Sequence, residues 1–171
     1  MRRLLLLRHA KSDWPDGTDD AMRPLADRGR RDAQEMGKAI VRAGFVPDFA
    51  MISAALRTRE TWDLASPQFG KKIPAREENG LYAATERTIL EYVRTAPDDA
   101  ETLIVVGHNP GIERLARSFA KSGDPDAIRR LEKKYPTCGL AEIELPVSAW
   151  KETSPPAGRL EMFLTPKTLD E

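Results

Sequence analysis

The sequence predicts an α/β fold with a mostly parallel central sheet, and two observations support this prediction. Leu4–Leu7 and Leu103–Val106 are apolar at every position, which is typical of strands that are buried on both faces inside a parallel sheet. Segments whose apolar residues follow helical spacing alternate with strand-like runs along the chain. That alternation is the pattern of an α/β protein.

Length and composition narrow the class of protein. The 171 residues, 40% of them hydrophobic, predict a single domain over residues 1–171 with a sizeable core. The 27 basic and 27 acidic side chains cancel, so bulk charge gives no reason to expect nucleic acid or an anionic membrane as a partner. Cys138 is the one cysteine, and the N-terminal apolar run is shorter than a signal peptide requires. We therefore expect a cytoplasmic protein without an intrachain disulfide.

The first strand leads into a long loop and then a helix. Residues 11–24 are polar and rich in Asp, Gly and Pro, which indicates a loop, and loops of this length are often functional. The apolar residues between about Asp27 and Ala43 keep the spacing of one helical face. Asp27 is the expected N-cap of this helix, and Gly44 is its expected stop.

The middle of the chain predicts two further strands and two further helices. Phe49–Ile52 is a second short buried strand, and a helix over residues 53–65 follows it. Ile73 marks a third, short strand. A helix over residues 85–94 comes next, with Thr85 as its expected N-cap.

Leu103–Val106 is the clearest strand, because it is continuous and rich in β-branched residues. Asn109 suits the N-cap of the helix that follows, and Pro110 suits its first position. This helix is expected to stop at Gly123, and residues 125–134 predict a charged helix after it.

The last two strands differ from the earlier ones. Leu140–Leu145 and Arg159–Leu164 alternate apolar and polar residues, as half-exposed strands do. We expect them to form an antiparallel pair at one edge of the sheet. Neither a Walker-type loop nor a G-x-G-x-x-G motif follows the first strand, so a nucleotide-binding fold would lack its phosphate loop.

The two histidines of the chain each follow a buried strand. His9 comes after Leu4–Leu7, and His108 comes after Leu103–Val106 with one glycine between. Ligands of open α/β sheets bind at the carboxyl ends of the strands, so the two rings could meet there. The strand that ends near Ile52 delivers Ser53 and, one helical turn later, an arginine. The four side chains expected to converge are Arg8, His9, Arg57 and His108.

Such a cluster points to an anion. Guanidinium groups match the geometry of phosphate, and the N-termini of the helices starting near Ser53 and Asn109 favour negative charge. The main chemical rival is a metal site on the two histidines. That site lacks a third strong ligand at a recognisable spacing, and adjacent arginines would repel a cation. Taken singly, each of these residues is equally compatible with a surface or capping role.

Four motifs in this order resemble a known family. They are Leu7-Arg8-His9-Ala10-Lys11-Ser12, Arg23-Pro24-Leu25-Ala26-Asp27-Arg28-Gly29 followed by Ala33, Ser53-Ala54-Ala55-Leu56-Arg57-Thr58-Arg59-Glu60-Thr61, and Val106-Gly107-His108-Asn109-Pro110-Gly111. Each motif alone is weak, but the four together are specific. The chain resembles the histidine phosphatase superfamily, in the small branch similar to SixA-type phosphohistidine phosphatases.

The resemblance implies a three-layer α/β/α, phosphoglycerate mutase-like fold and a phosphatase that uses no metal or other cofactor. It assigns His9 as the nucleophile that becomes a phosphohistidine, with Arg8, Arg57 and His108 binding the phosphoryl oxygens. Water would then hydrolyse the intermediate. To attack, His9 must be neutral with a free ring nitrogen, and the neighbouring cations disfavour its protonation.

The proton donor for a leaving alkoxide is usually a Glu or Asp in this superfamily. Glu78 is the first candidate, with Glu77 and Asp13 as alternatives, and all three also fit solvated loop positions. A phosphorylated histidine is a good leaving group, so a phosphohistidine phosphatase could work without a strong acid. The lack of a clear acid therefore favours that substrate.

Further residues of the first loop and of the last motif are expected at the pocket. Lys11, Ser12, Arg23 and Asn109 are predicted to contribute to phosphate binding. Trp14 could face the substrate, but a packing anchor is the preferred interpretation.

The expected function is hydrolysis of phosphohistidine in a protein, as in signal transduction. The alternatives are a small-molecule phosphoester phosphatase on the same site and a non-catalytic module that binds phosphate or a phosphoprotein. A mutase is disfavoured because the short chain has little room for a lid. The expected partner is a phosphorylated protein or a small phosphorylated substrate, and the expected assembly is a monomer or a weak homo-oligomer.

Overall fold

The computed structural model of the protein describes residues 1–170, and its strands form a six-stranded mixed sheet. The strands are β1 (Arg2–Arg8), β2 (Phe49–Ser53), β3 (Ala75–Glu78), β4 (Thr102–Gly107), β5 (Leu140–Leu145) and β6 (Arg159–Leu164). Their order across the sheet is β3-β2-β4-β1-β5-β6. The first four are mutually parallel, and β5 and β6 are antiparallel at one edge. The predicted fold class and the predicted edge pair are confirmed.

Helices cover both faces of this sheet. They are α1 (Asp27–Ala43), α2 (Leu56–Ala65), α3 (Glu86–Arg94), α4 (Gly111–Phe119), α5 (Pro125–Lys133) and α6 (Pro166–Leu169). The short α6 was not anticipated from the sequence. Within residues 1–170, no helix combines the length and the apolar character needed to cross a membrane.

The continuous apolar character of β1 follows from the two hydrophobic cores that it serves. Leu4 and Leu6 pack in one core with residues of α3, α4 and α5. Leu5 and Leu7 pack in the other core with residues of α1 and α2. All four leucines are fully buried, and each stabilises the fold by about 1.5–3 kcal/mol relative to an exposed position.

Two predicted helix caps are wrong. Ala26, not Asp27, is the N-cap of α1, and Asp27 lies in the first turn. Pro110, not Asn109, occupies the N-cap of α4, and the Asn109 side-chain amide donates to the carbonyl of Tyr135 at 3.1 Å. The expected cap Thr85 does accept from the backbone N–H of Thr88.

Two element ends also differ from prediction. Ile73 is buried but precedes β3, which begins at Ala75. The helix after β4 ends at Phe119, short of the expected stop at Gly123. The predicted stop of α1 is confirmed, since Gly44 adopts the left-handed conformation with φ 80°.

Candidate active site

The two histidine rings meet at the carboxyl ends of two adjacent parallel strands. Strands β1 and β4 pair with Arg8 opposite Gly107, and the backbone N–H of His9 donates to the Gly107 carbonyl at 3.1 Å. The ring centroids of His9 and His108 lie 5.4 Å apart. The convergence of the two rings that was predicted from the strand pattern is therefore present.

Arg57 reaches the same point from α2. It lies in the first turn of that helix, and its side chain is buried. Thr61, one turn later, donates to the Arg57 carbonyl at 2.7 Å and accepts from the backbone N–H of Ala10 at 3.0 Å. One hydroxyl thus connects the helix that carries Arg57 to the residue that follows His9.

These side chains surround a cavity of about 270 Å³. Its lining contains the four residues expected to converge, together with further polar side chains: Arg8, His9, Lys11, Ser12, Arg23, Arg57, His108, Asn109 and Thr137. Thr137 was missed by the sequence reasoning, because no motif marks the segment that precedes β5. Lys11, Ser12, Arg23 and Asn109 all lie where they were expected.

The segment after His9 is held tightly against α1. The Lys11 carbonyl accepts from the backbone N–H of Ala26 at 2.9 Å. A Cβ atom placed on Gly29 would lie 2.0 Å from that same carbonyl oxygen. A glycine is therefore required here for the close approach of helix and loop, which gives the second motif its physical meaning.

His9 is held with one ring nitrogen engaged. Its Nδ1 lies 2.8 Å from the carbonyl oxygen of Ala10, and a carbonyl can only accept, so Nδ1 carries the proton and Nε2 is unprotonated. Burial, followed by the proximity of His108 and of the Arg57 and Arg8 guanidiniums, lowers the pKa of His9 to about 3, against the raising effect of the Ala10 carbonyl. The ring is therefore neutral at pH 7 and keeps a free lone pair.

His108 is also buried and neutral. Its Nε2 lies 2.8 Å from the hydroxyl oxygen of Ser53. Burial lowers its pKa to about 4, and the Arg57 and Arg8 guanidiniums act in the same direction. Ser53, the last residue of β2, thus orients the second histidine, although the prediction placed it at the start of a helix.

Three buried nitrogens around the pocket have no hydrogen-bond partner within residues 1–170. They are Nε of Arg8, Nε of Arg57 and Nδ1 of His108. Buried polar groups are satisfied in the great majority of cases, and each exception requires an explanation. The three residues come from the end of β1, the start of α2 and the segment after β4, and they line the same cavity as His9, so their nitrogens are available to donate to an oxyanion.

The long first loop places a carboxylate at the mouth of this pocket. The Asp20 carboxylate accepts from Arg57 Nη2 at 3.2 Å, from Arg23 Nη1 at 3.3 Å and from the Tyr82 hydroxyl. These three bonds and the Arg57 charge lower its pKa to about 2, with the Tyr82 bond contributing most, against the raising effect of partial burial. The sequence reasoning missed Asp20, since Asp16, Asp19 and Asp20 look alike in a polar loop.

The three carboxylates considered as proton donors do not line the pocket. Glu78 ends β3, and its carboxylate lies 3.5 Å from Arg76 Nε. Glu77 lies 3.6 Å from Arg59 Nε, and Asp13 is exposed in the loop. The pocket lining contains no Asp or Glu.

The rim of the pocket carries exposed apolar side chains. Trp14 is 63% exposed, and its indole N–H donates to the Thr18 carbonyl at 3.2 Å. The Trp14 ring packs against the Arg23 guanidinium, whose carbon lies 4.2 Å from the ring centroid. Tyr82 completes the rim, with its ring edge-on to His108 at 5.6 Å.

Within residues 1–170, the structure contains no cluster of side chains suited to binding a metal ion. Among residues 1–170, no three His, Cys, Asp or Glu side chains are arranged to hold a metal ion. The pocket lining instead carries the cationic side chains of Arg8, Lys11, Arg23 and Arg57.

Comparison with known proteins agrees with this geometry. A family model described as the histidine phosphatase superfamily (branch 1) matches residues 4–84. An uncharacterized protein of Mycobacterium tuberculosis is 37% identical over 164 residues, which cover 94% of this chain and 100% of that relative.

Two solved structures are similar over nearly the whole chain. One is a candidate SixA phosphohistidine phosphatase of Agrobacterium tumefaciens, with a TM-score of 0.80 and 26% identity over 96% of this chain and 97% of that one. The other is the corresponding candidate of Nakamurella multipartitia, with a TM-score of 0.81 and 28% identity over 96% of each chain.

Proposed function

Because this chain belongs to the histidine phosphatase superfamily (branch 1) and is a phosphatase, we propose that it transfers the phosphoryl group to His9. The observation that carries the proposal is the shared cavity, which His9 lines together with Arg8, Arg57 and His108, each of which has a buried nitrogen without a partner within residues 1–170. These nitrogens are suited to the oxygens of a phosphoryl group whose phosphorus faces Nε2 of His9.

In the proposed first step, the lone pair of His9 Nε2 forms a bond to phosphorus, and the bond from phosphorus to the leaving group breaks. The proton on Nδ1 stays on the ring and donates to the Ala10 carbonyl throughout. Arg8 and Arg57 stabilise the charge on the transferred oxygens. Positioning and electrostatics supply the catalysis, and no metal ion takes part.

In the second step, water attacks the phosphohistidine and restores His9. Ser53 holds Nε2 of His108 at 2.8 Å, which leaves the unpartnered Nδ1 to donate to a phosphoryl oxygen. Because His108 is neutral, this donation adds no net charge beside His9, whose nucleophilicity depends on staying unprotonated.

Phosphohistidine in a protein is the proposed substrate, and two features of the site support it. First, no acid lines the pocket, and a phosphorylated imidazole leaves without a strong one. Second, the exposed rings of Trp14 and Tyr82 give the rim an apolar surface that a protein substrate can cover and a small phosphoester cannot. The two similar structures of candidate SixA phosphohistidine phosphatases support the same choice.

The test offers the purified protein a phosphohistidine-bearing protein, an aryl phosphate and several small phosphoesters, each with and without a chelator. We expect turnover that the chelator does not change, and an acid-labile phosphoenzyme that His9→Ala abolishes. Preference for a small phosphoester would reassign the substrate. Phosphate binding without any turnover would identify a binding module, and inhibition by the chelator would overturn the metal-free mechanism.

A further inference from the structure

The Asp20 carboxylate is held at the pocket mouth, where the leaving group of a substrate must lie. His9 is buried at the base of the cavity, and transfer of a phosphoryl group places the attacking and leaving atoms roughly in line. The leaving group therefore points away from His9 toward solvent. Asp20 lies on that side, because its side chain is 40% exposed and bridges Arg57 to the rim residue Tyr82.

Asp20 is unsuited to the role of a general acid. Its carboxylate accepts hydrogen bonds from Arg57, Arg23 and Tyr82, and all three bonds favour the ionised form. The resulting pKa of about 2 leaves no proton to donate at neutral pH. A phosphate ester with a poor alkoxide leaving group thus gains nothing from this residue.

An ionised carboxylate at this place does suit a cationic leaving group. The backbone carbonyl of Asp20 accepts from Arg57 Nη1 at 2.7 Å, which fixes the residue relative to the anion site. Its Oδ1 accepts only the Arg23 bond, at 3.3 Å, and can take a second hydrogen bond. We propose that Asp20 selects phosphoramidates whose leaving nitrogen ring is protonated, such as phosphohistidine, over phosphate esters. This inference rests on the proposed function.

The chemistry balances without any further reactant. The substrate ring carries the phosphoryl group on one nitrogen and a proton on the other, and the Asp20 carboxylate accepts a hydrogen bond from that N–H. When His9 Nε2 bonds to phosphorus, the electrons of the broken P–N bond return to the substrate ring. That ring leaves as neutral imidazole and keeps its proton, while the positive charge passes to the His9 ring.

The experiment compares two small probes, N-phosphoimidazole and p-nitrophenyl phosphate, so that protein docking does not enter. For wild type, Asp20→Asn and Asp19→Asn, the ratio of kcat/KM for the two probes is measured. Asp19 is the matched control, because it is an exposed neighbour in the same loop and its side chain makes no hydrogen bond or ion pair within residues 1–170. We expect Asp20→Asn to lower the ratio roughly tenfold or more, and Asp19→Asn to leave it unchanged.

The pH dependence of N-phosphoimidazole hydrolysis is a second measurement, and a purely structural role of Asp20 would leave it unchanged. The groups that face Asp20 are Arg23, Arg57, Tyr82 and His108. The pKa of Tyr82 is raised by its hydrogen bond to Asp20, and burial keeps His108 neutral near pH 7. The loss of N-phosphoimidazole hydrolysis at higher pH therefore reports deprotonation of the substrate ring. The carboxylate stabilises the protonated ring, and we expect Asp20→Asn to shift this loss to lower pH.

The outcomes separate this inference from the proposed function. An equal change of both kcat/KM values in Asp20→Asn, in either direction, would assign Asp20 to the orientation of Arg57 alone and overturn the selection. Retained turnover of p-nitrophenyl phosphate shows that the variant is folded, and Asp20→Ser repeats the loss of charge with a smaller side chain. A wild-type protein that hydrolyses neither probe would overturn the proposed function and this inference with it.

Discussion

The hydroxyl of Thr61 accepts a hydrogen bond at 3.0 Å from the backbone N–H of Ala10, the residue whose carbonyl binds the His9 ring. The same hydroxyl donates to the carbonyl of Arg57 at 2.7 Å. His9, the proposed nucleophile, and Arg57, a proposed phosphate ligand, are therefore linked by a single buried group.

Thr61→Val removes this group and keeps the shape of the side chain. The variant leaves the buried N–H of Ala10 without a partner, which lowers the free energy of unfolding by about 1–3 kcal/mol. We also expect a lower kcat, because the Ala10 carbonyl that orients His9 is no longer fixed. Denaturant unfolding and steady-state kinetics measure the two effects. Thr61→Ser is the control and should recover most of both, and a Thr61→Val protein with wild-type kcat would contradict the assignment.

Gly29→Ala tests the close packing of α1 against the segment that follows His9. Alanine favours an exposed helix by about 1 kcal/mol relative to glycine, but the added Cβ would lie 2.0 Å from the Lys11 carbonyl oxygen. We expect a lower thermal unfolding midpoint and a lower kcat/KM, since Lys11 is two residues from His9. Arg28→Ala, on the exposed side of the same turn, should change neither. A stabilised Gly29→Ala protein with full activity would show that the contact is unimportant.

The two histidines should titrate far below the usual value. Burial keeps both rings neutral, with pKa values of about 3 for His9 and about 4 for His108 against 6.5 for an unperturbed histidine. Since the chain has only two histidines, NMR titration of labelled rings resolves both, and His108→Gln assigns them. The urea-unfolded protein is the control, with both rings titrating near 6.5. A ring of the folded protein that titrates there would disprove its burial as a neutral group.

The same shifts make stability depend on pH. Between pH 6.5 and about 4, the unfolded chain binds protons at its histidines and the folded protein does not. The free energy of unfolding contributed by the rings is therefore complete above pH 6.5 and falls as the pH falls through this window. Between pH 7 and pH 4, the free energy of unfolding measured with denaturant should fall less steeply for His108→Gln than for wild type. Identical slopes would contradict this linkage.

Glu142 shows the opposite pH dependence. Its side chain is 1% exposed and accepts from Arg3 Nε at 3.0 Å. Burial raises its pKa from 4.5 to about 7, against the lowering effect of Arg3. The folded protein thus holds a proton that the unfolded chain releases, and stability falls as the pH rises from 4.5 to about 7. The free energy of unfolding of Glu142→Gln, measured relative to wild type, should be higher at pH 8 than at pH 5. Glu91→Gln, at an exposed position of α3, is the control, and a stability difference between Glu142→Gln and wild type that does not change with pH would refute the raised pKa.

Trp14→Ala tests whether the rim contacts a protein substrate. Large exposed aromatic side chains are common anchors of interfaces, so we expect KM for a phosphohistidine-bearing protein to rise roughly fivefold or more. KM for an aryl phosphate should stay unchanged, because a small substrate does not reach the Trp14 ring. Val41→Ala, an exposed apolar position near the far end of α1, is the control. Equal increases in KM for both substrates would show that the substitution acts through the Arg23 side chain and not through docking of the protein substrate.

The strand ends were predictable from the chain alone, and so was the convergence of His9 and His108. A run of four leucines must be buried on both faces, and parallel strands bring their carboxyl ends to one edge of the sheet. The four motifs added Arg8 and Arg57 to the same place. These features depend on local composition and on a topology rule, so they need no knowledge of side-chain contacts.

The surroundings of these residues depended on the tertiary structure. Asp20 is one of several aspartates in a polar loop, and only the folding of that loop over Arg57 and Tyr82 distinguishes it from Asp19. Glu78 was the preferred acid because of its place in the chain, yet its carboxylate pairs with Arg76. Long-range hydrogen bonds and burial decide which carboxylate faces the pocket and whether a histidine stays neutral. Both arise between segments far apart in sequence, where periodicity and spacing carry no information.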